Sequence, residues 1–369
     1  MENNELKSNS TENIENNRPV AKQNAAKTGC MWMLMSLGMI FLLLLVCGII
    51  VCSVAFFSFF KNMEDESADN YLASYEKEFI SGKRSSENTI LVIPVSGVIH
   101  SGLEDSPFSE AGAASNKICR QLEAAARDKS VKAVIIKVDS PGGEVVATDM
   151  IYRAIKKLKA NGTPVIALME SIAASGGYYI SVGCDKIIAH PMTTTGSIGV
   201  IVQTYKYFEL FKKVGLESEP YTSGPLKDIL SGTRPTTSIE KQIIQKHVDA
   251  VYDQFVQIIA DGRPGLTVQK IKTSEIGDGR IFIGAEAKRL GLVDQLGYFA
   301  DAEKLAAEMA KLKDDYATIS YKKKFSLTEL FNSSTQTPAK NLNLNLPGAS
   351  AQTQYNLKNG RFYLLPAWH

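Results

Sequence analysis

A single hydroxyl among very small residues is the first feature of this sequence that could do chemistry. Ser175 lies in the stretch ESIAASGGYYIS (170–181), with two alanines before it and two glycines after it. Because these neighbours have almost no side-chain volume, a substrate backbone could approach the serine oxygen closely. Ser171 and Ser181 are alternative nucleophiles, but neither is followed by a glycine pair. The stretch favours Ser175 as a nucleophile, and it equally suits a tight turn from a strand to a helix.

Two glycine pairs occur where predicted strands end and helices begin, in VDSPGGEVV (138–146) and MESIAASGGYY (169–179). The first turn of a helix has unpaired N–H groups and a partial positive charge, and glycine lets an oxygen approach them closely. Donors of this kind stabilise the negative oxygen that develops during acyl transfer. Together the two pairs predict an oxyanion hole with Ser175 at its edge.

A serine nucleophile needs a base, and the histidines of the predicted folded region are poor candidates. His247 falls on an apolar helical stripe with Ile243 and Val251, which favours packing over catalysis. His100 and His190 end predicted strands. The sequence therefore gives little support to a Ser-His-Asp triad.

Lysine is the alternative base. A lysine accepts a proton only when it is neutral, so its pKa must fall from about 10.4 toward the working pH, which burial can achieve. Lys227 lies in YTSGPLKDILSG (221–232), among small and apolar residues. The adjacent Asp228 could orient this lysine or, by its negative charge, hinder it as a base. Other lysines of the region fall on predicted solvated helix faces: Lys212, Lys213, Lys241 and Lys246.

Short apolar runs rich in β-branched residues alternate with amphipathic helices through the middle of the chain. The runs at 90–99, 131–138, 164–169 and 186–190 have the composition of buried strands. Apolar residues at helical spacing predict helices over 144–160 and 243–259. The order βαβαβ predicts an α/β fold with a mostly parallel sheet, in which ligands bind at the carboxyl ends of the strands.

Residues 30–60 contain no charged side chain, whereas roughly 20 apolar residues suffice to cross a bilayer. Arg18, Lys22 and Lys27 precede this segment, and acidic residues follow it within a few positions. The excess of positive charge on the N-terminal side predicts a cytoplasmic N-terminus. We therefore expect a single-pass protein of the cell membrane whose catalytic domain is extracytoplasmic.

Two other interpretations of this segment are weaker. A cleaved signal peptide usually has an apolar region of roughly 7 to 15 residues, but here the apolar run continues through 56–60. The sequence LLVCG around Cys47 faintly suggests a lipid-modified cysteine, but a valine rather than a small residue precedes Cys47. Both features favour a retained membrane helix.

Composition divides the chain into five parts. Residues 1–29 predict a disordered cytoplasmic tail, 30–60 a transmembrane helix, and 61–88 a polar stalk. Residues 89–320 predict one folded domain, and 321–369 a polar C-terminal tail. The net charge of +2 gives no sign of nucleic-acid binding.

The cysteines suggest neither a disulfide framework nor a metal site. Three of the five lie in the predicted membrane segment, which leaves Cys119 and Cys184 for the folded domain. We expect these two as buried free thiols. The cysteine and histidine spacings match no metal-ligand pattern, so we expect no metal ion.

Five motifs in this order resemble the signal peptide peptidase A family of serine-lysine proteases. They are DSPGG, AASGGYYIS, TTTGSIGV, SGPLKDILS and DGRIFIGAEAKRLGLVDQLG. The resemblance covers about residues 90–310 and implies a Clp-protease-like, crotonase-related α/β fold with flanking helices. Compact members of the family carry both catalytic residues in one domain, which matches the single domain predicted after the transmembrane helix.

The resemblance also implies roles for individual residues. Ser175 matches the family's nucleophile, and Lys227 matches its general base. Ser197 in TGSIG matches a serine that supports the lysine by a hydrogen bond. Gly142 in SPGG matches the backbone donor of the oxyanion hole, to which we add Gly176 on chemical grounds. The proline and leucine before Lys227 depart from some members, which puts the shape of the lysine's pocket in doubt.

The implied function is that of a membrane-anchored serine endopeptidase that degrades cleaved signal peptides and other apolar or unfolded segments. Ser175 and Lys227 would act through an acyl-enzyme without metal, nucleotide or redox cofactor. The resemblance further implies a homo-oligomeric ring with inward-facing sites, and residues 30–60 would contact membrane lipid.

Two other functions remain as alternatives. In a crotonase-like acyl-binding protein without proteolysis, the SPGG amides would hold a thioester enolate and Ser175 would be dispensable. A non-catalytic membrane scaffold would leave the small residues around Ser175 without a purpose.

Overall fold

The computed structural model of the protein describes residues 39–40, 42–51, 53, 75–102, 112–324 and 363–364. Two compact units divide the chain, one over 1–66 and one over 67–369. In the first unit the described residues are helical, and their apolar side chains are exposed. No helix within the described ranges is long and apolar enough to cross a membrane.

Several predictions of the sequence analysis fall partly or wholly outside the described residues. These are the disordered tail over 1–29, the transmembrane helix over 30–60, the first part of the stalk over 61–88, and most of the C-terminal tail over 321–369. The boundaries at 29–30 and 60–61 lie outside the described residues and stay predictions.

The second unit is built from alternating strands and helices. The strands are β1 (Tyr75–Gly82), β2 (Thr89–Ser96), β3 (Ile99–His100), β4 (Ala113–Ala114), β5 (Val131–Ser140), β6 (Gly143–Glu144), β7 (Val165–Ala174), β8 (Lys186–Ala189), β9 (Thr194–Gly196), β10 (Ile281–Ile283), β11 (Gln295–Leu296), β12 (Ala317–Lys323) and β13 (Tyr363–Leu364). The helices are α1 (Ser115–Arg127), α2 (Val145–Ala160), α3 (Gly176–Val182), α4 (Phe208–Lys213), α5 (Ser238–Gly262), α6 (Val268–Thr273), α7 (Gly284–Arg289) and α8 (Phe299–Met309).

The main sheet has the strand order β1-β12-β2-β5-β7-β8-β11. All neighbours along this path are parallel except β1 and β12. Beyond the end of its pairing with β8, β7 pairs in parallel with β9, which in turn pairs with β10. A small second sheet has the order β13-β6-β3-β4. The predicted mixed α/β fold with a mostly parallel sheet and flanking helices is confirmed.

Both faces of the central strands are buried, which explains why these strands read as continuous apolar runs. On β2, Leu91 and Ile93 face a large core that α1, α2, α3 and α5 cover, whereas Ile90 and Val92 face the opposite side. Alanines of α8 cover that second side: Ala302, Ala306 and Ala307. Because successive residues point to opposite faces, a strand covered by helices on both sides needs apolar residues at every position.

Strand β1 lies inside the segment that the sequence analysis assigns to a polar stalk. Its sequence YEKEFISG is mostly exposed, and it pairs antiparallel with β12 at the edge of the sheet. An edge strand with one uncovered face needs few apolar side chains, so its composition resembles that of a linker. The ordered sheet therefore begins at Tyr75, before the predicted start of the folded domain at residue 89.

Candidate active site

Ser175 occupies the turn between β7 and α3. Its backbone has φ 52° and ψ −113°, a conformation that only a tightly constrained turn imposes on a residue with a side chain. Its N–H donates to the carbonyl of Gly196 at 2.8 Å, and its carbonyl accepts from the N–H of Tyr179 at 2.9 Å. These bonds fix the serine where a parallel strand ends and a helix begins, as the sequence predicts.

The hydroxyl of Ser175 is buried and has no hydrogen-bond partner among the described residues. A buried hydroxyl without a partner costs about 1–3 kcal/mol, and left-handed backbone at a serine adds a similar cost. At a purely structural position we would expect the hydroxyl to have a hydrogen-bond partner, or the backbone to adopt a relaxed conformation. The site thus holds a polar atom for which the described residues supply no partner.

The SPGG turn lies directly against the start of α3. A Cβ atom added at Gly176 would lie 2.9 Å from Thr148 Oγ1, 3.0 Å from Gly142 Cα and 3.1 Å from the amide nitrogen of Gly143. A Cβ added at Gly177 would lie 2.6 Å from the carbonyl oxygen of Ser140. Only glycine allows the two turns to meet this closely, so the predicted convergence of the two glycine pairs is present.

The amide of Gly142 is already used inside its own turn. It donates to Ser140 Oγ at 3.1 Å, and Ser140 Oγ donates in turn to the carbonyl of Gly97 at 2.6 Å. The amide nitrogen that lies beside Gly176 belongs to the next residue, Gly143. Gly143 therefore joins Gly142, the residue that the family resemblance implies, as a candidate donor of the oxyanion hole. The SPGG motif alone does not reveal the bond from Gly142 to Ser140, because that bond depends on how the turn folds.

Ser197 lies next to the residue that anchors the nucleophile. Its neighbour Gly196 accepts from the N–H of Ser175, and the N–H of Ser197 donates to the carbonyl of Arg280 at 2.7 Å. Ser197 is buried and, like Ser175, has a positive φ, at 49°. The structure thus brings Ser175, Gly176, Gly143 and Ser197 into one region, and the catalytic roles of these residues stay predictions.

Lys227 does not join this group within one chain. It lies in a series of turns between α4 and α5, where its N–H donates to the carbonyl of Gly224 at 3.1 Å. Its side chain is exposed, and its ammonium forms no hydrogen bond or ion pair within the described part of the chain. Since the hydroxyl of Ser175 is buried without a partner, the predicted dyad is not assembled in the single chain.

The turns around Lys227 are fixed by a half-buried arginine cluster just before α5. Arg234 donates to both carboxylate oxygens of Asp228, at 2.6 and 2.7 Å, and also to the carboxylate of Glu240. Glu240 closes a capping box with Thr237. Asp228 is therefore bonded to Arg234, whose hydrogen bonds lower the pKa of the Asp228 carboxyl.

This cluster predicts a specific acid sensitivity. Hydrogen bonds from Arg234 and from the backbone of Thr237 lower the pKa of Glu240 from 4.5 to about 2. Glu240 therefore stabilises the folded protein above pH 4.5, and this contribution disappears as the pH falls toward 2. Thermal unfolding midpoints measured from pH 2 to 7 should show Glu240→Gln less stable than the unmodified protein above pH 5, with the difference shrinking below pH 4. Parallel curves for the two proteins would contradict this assignment.

The histidines considered as alternative bases make other contacts. His190 Nδ1 accepts from the N–H of Met192 at 3.0 Å, and His100 Nδ1 accepts from the N–H of Gly102 at 3.1 Å. The ring of His247 lies against the carbonyl of Ile243, with a distance of 3.2 Å from Nδ1. Among the described residues, none of these rings forms a hydrogen bond with the hydroxyl of Ser175.

The prediction of buried free thiols is confirmed in full for Cys184, whereas Cys119 is only half-buried. Cys119 and Cys184 are unpaired. Burial raises the pKa of Cys119 to about 11 and raises the pKa of Cys184 as well. Both side chains are protonated at neutral pH and lack the thiolate that a cysteine nucleophile requires.

A second part of the chain lies along the SPGG motif. Strand β13 pairs antiparallel with β6, with Tyr363 opposite Glu144 and Leu364 opposite Gly143. An extended segment thus occupies the edge of the strand that starts at the candidate oxyanion donor. This edge accommodates a peptide by main-chain pairing, a common mode of peptide recognition.

Comparisons with known proteins identify the family to which this chain belongs. Residues 157–313 match the profile of peptidase family S49, and residues 109–196 match that of Clp protease. The chain is 35% identical over 277 residues to a putative signal peptide peptidase SppA of Enterococcus faecium, which covers 73% of this chain and 80% of that protein. A putative protease of Synechocystis is 41% identical over 233 residues, 63% of this chain and 78% of that protein.

A longer relative matches over part of its length. Protease 4 of Salmonella typhi is 35% identical over 249 residues, which are 67% of this chain and 39% of that protein. The family resemblance inferred from the motifs around Ser175 and Lys227 is confirmed. Because residues 157–313 match the family profile and the alignment with the Enterococcus protein extends over most of both chains, the chain belongs to peptidase family S49.

Proposed function

We propose that this peptidase is a membrane-anchored serine endopeptidase that cleaves apolar peptides, remnant signal peptides among them, with Ser175 as nucleophile and Lys227 as general base. The observation that carries the proposal is the buried, unpartnered hydroxyl of Ser175, on the residue before Gly176, which packs against the SPGG turn. Membership of a peptidase family favours this function over acyl binding without proteolysis.

The reaction uses the groups of the site in two steps. The neutral amine of Lys227 takes the proton of Ser175 while Oγ attacks the peptide carbonyl, and the N–H groups of Gly143 and Gly176 stabilise the negative oxygen. Collapse of this intermediate transfers the proton to the departing amine and leaves an acyl-enzyme. Water, activated by the same lysine, then releases the acid and regenerates Ser175.

A neighbouring copy of the chain supplies Lys227 in this proposal. The ammonium of Lys227 is exposed and unpartnered in the described structure of one chain, and the same segment exposes several large apolar side chains: Tyr205, Leu210, Val214, Leu216 and Tyr221. Packing this segment against a second copy would cover those side chains and bring a lysine to Ser175. Burial in such an interface favours the neutral form of an amine, which is the form that accepts a proton. This argument supports the homo-oligomeric ring predicted from the sequence.

Substrate binding uses, in this proposal, the edge of β6 along which β13 lies, so that a bound peptide takes the place of β13. An extended peptide that pairs with Gly143 and Glu144 as β13 does would pass its carbonyl groups close to the amide of Gly143. Main-chain pairing uses backbone groups that nearly every residue has, so it places few requirements on the substrate sequence. This suits the degradation of varied apolar segments. Residues 30–60 anchor the protein in the cell membrane in this proposal, with the N-terminus cytoplasmic and the catalytic domain extracytoplasmic near its apolar substrates.

Hydrolysis of an apolar signal-sequence peptide by the full-length protein in detergent tests the function. Ser175→Ala should lower the rate by at least about 10³-fold, because the variant has no nucleophile. Ser171→Ala removes an exposed hydroxyl from the same stretch and should retain the full rate. A Ser175→Ala variant that hydrolyses the peptide at the normal rate would overturn the proposal.

A further inference from the structure

Thr148 on α2 has a buried hydroxyl that the proposed mechanism does not yet use. Its side chain is fully buried, and Oγ1 has no hydrogen-bond partner in the part of the chain that the structure describes. A threonine inside a helix usually donates its hydroxyl to a backbone carbonyl one turn earlier. Thr148 makes no such bond, so its hydroxyl is left unsatisfied at a cost in stability.

The hydroxyl of Thr148 lies close to the residues that we propose as donors to the oxyanion. Thr148 Oγ1 lies 2.9 Å from the point where a Cβ atom of residue 176 would stand, and that point is 3.1 Å from the amide nitrogen of Gly143. Thr148 is one turn into the helix that follows the glycine pair, so the same local structure positions it and the Gly143 amide. The unpartnered hydroxyl of Ser175 belongs to the residue next to Gly176. Two buried hydroxyls without partners, on Thr148 and Ser175, thus lie close to Gly176, one by contact with it and one on the residue before it.

We propose that the hydroxyl of Thr148 is a third donor of the oxyanion hole. When Ser175 attacks a peptide carbonyl, Thr148 Oγ1–H donates to the developing negative oxygen together with the amides of Gly143 and Gly176. This inference rests on the proposed function. A hydroxyl is well suited to this task because it can rotate toward the charge once the charge forms, and a donor aligned on the transition state raises kcat more than substrate affinity.

The proposal predicts opposite effects on stability and on catalysis. Thr148→Val replaces the hydroxyl with a methyl group of similar volume and removes an unsatisfied buried polar atom. Its unfolding midpoint should therefore equal or exceed that of the unmodified protein. Its kcat should fall by about 10- to 100-fold with little change in KM. A residue that only packs the core would not combine retained stability with lost kcat.

A second pair of variants isolates the hydroxyl. Thr148→Ser and Thr148→Ala both lack the methyl group and differ only in the oxygen atom. Thr148→Ser should keep kcat within about three-fold, whereas Thr148→Ala should lose as much as Thr148→Val. A peptide aldehyde, which forms a tetrahedral adduct with the serine, should lose affinity for Thr148→Ala by the same factor as kcat/KM.

The outcomes separate this inference from the function on which it rests. If the unmodified protein hydrolyses the peptide in a Ser175-dependent manner and Thr148→Ala matches Thr148→Ser in kcat, the oxyanion role of Thr148 is wrong and the peptidase stands. If the unmodified protein shows no Ser175-dependent hydrolysis, the proposed function is wrong and the role of Thr148 falls with it.

Discussion

Lys227→Ala is expected to lower hydrolysis of an apolar peptide by about 10²- to 10⁴-fold, the range for loss of a general base. Co-expression of this variant with Ser175→Ala should restore part of the activity. In a randomly mixed ring, about a quarter of the sites would combine an intact serine with an intact lysine from a neighbouring copy. Neither variant alone contains such a site.

We expect this complementation because the side chains of Ser175 and Lys227 lie in different surroundings. The hydroxyl of Ser175 is fully buried at the carboxyl edge of the sheet, whereas Lys227 stands on an exposed series of turns that Arg234 holds in place. Among the described residues Ser175 Oγ has no partner, so the two groups do not meet inside one chain. A second copy is the simplest source of the missing base.

Co-expression with a double variant is the matched control. Lys227→Ala mixed with Ser175→Ala/Lys227→Ala keeps the assembly but offers no intact lysine, so its activity should stay at the level of Lys227→Ala alone. Separate affinity tags on the two chains allow mixed assemblies to be purified before the assay. If mixed assemblies of the two single variants are isolated and remain inactive, the dyad forms within one chain and the proposed arrangement is wrong.

The sequence predicts the strands correctly where both faces of the sheet are buried. The runs around Leu91 and Val134 are apolar at most positions because helices cover both faces of the sheet, and the predicted strands overlap β2 and β5. Edge strands carry a weaker signal. Strand β1 is exposed along most of its length, so its sequence does not distinguish it from a polar linker.

The candidate site was predictable to the extent that local backbone geometry defines it. Ser175 and Gly176 could be identified because a turn this tight requires small residues, and the structure has them at the junction of β7 and α3. The hydrogen bond from Gly142 to Ser140, which brings Gly143 into consideration as a second donor, is not revealed by any spacing. The position of Lys227 relative to Ser175 depends, in our proposal, on contacts between copies, which the pattern of one chain does not encode.

The contact between the two glycine turns leads to the other large expected effect. Gly176→Ala should lower kcat by about 100-fold, as expected when a misplaced group spoils a catalytic geometry. The added Cβ would stand 3.0 Å from Gly142 Cα and 3.1 Å from the Gly143 nitrogen, which are backbone atoms that cannot rotate away. The SPGG turn must therefore move by a few tenths of an ångström, which pulls the Gly143 donor away from the oxyanion. Overpacking of this kind also costs about 1–3 kcal/mol of stability.

Gly199→Ala provides the matched control for this prediction. A Cβ at Gly199 would meet Gly279 Cα at 3.6 Å, an ordinary contact distance, although Gly199 lies only two residues from Ser197. We expect Gly199→Ala to keep nearly normal kcat and unfolding temperature, whereas Gly176→Ala stays folded at the assay temperature and is slow. Measured kcat, KM and unfolding midpoints of the two variants test this prediction. If Gly176→Ala retains normal kcat, the close contact between the turns is not what positions the oxyanion donors, because a shift of the Gly143 amide would then have no effect on the transition state.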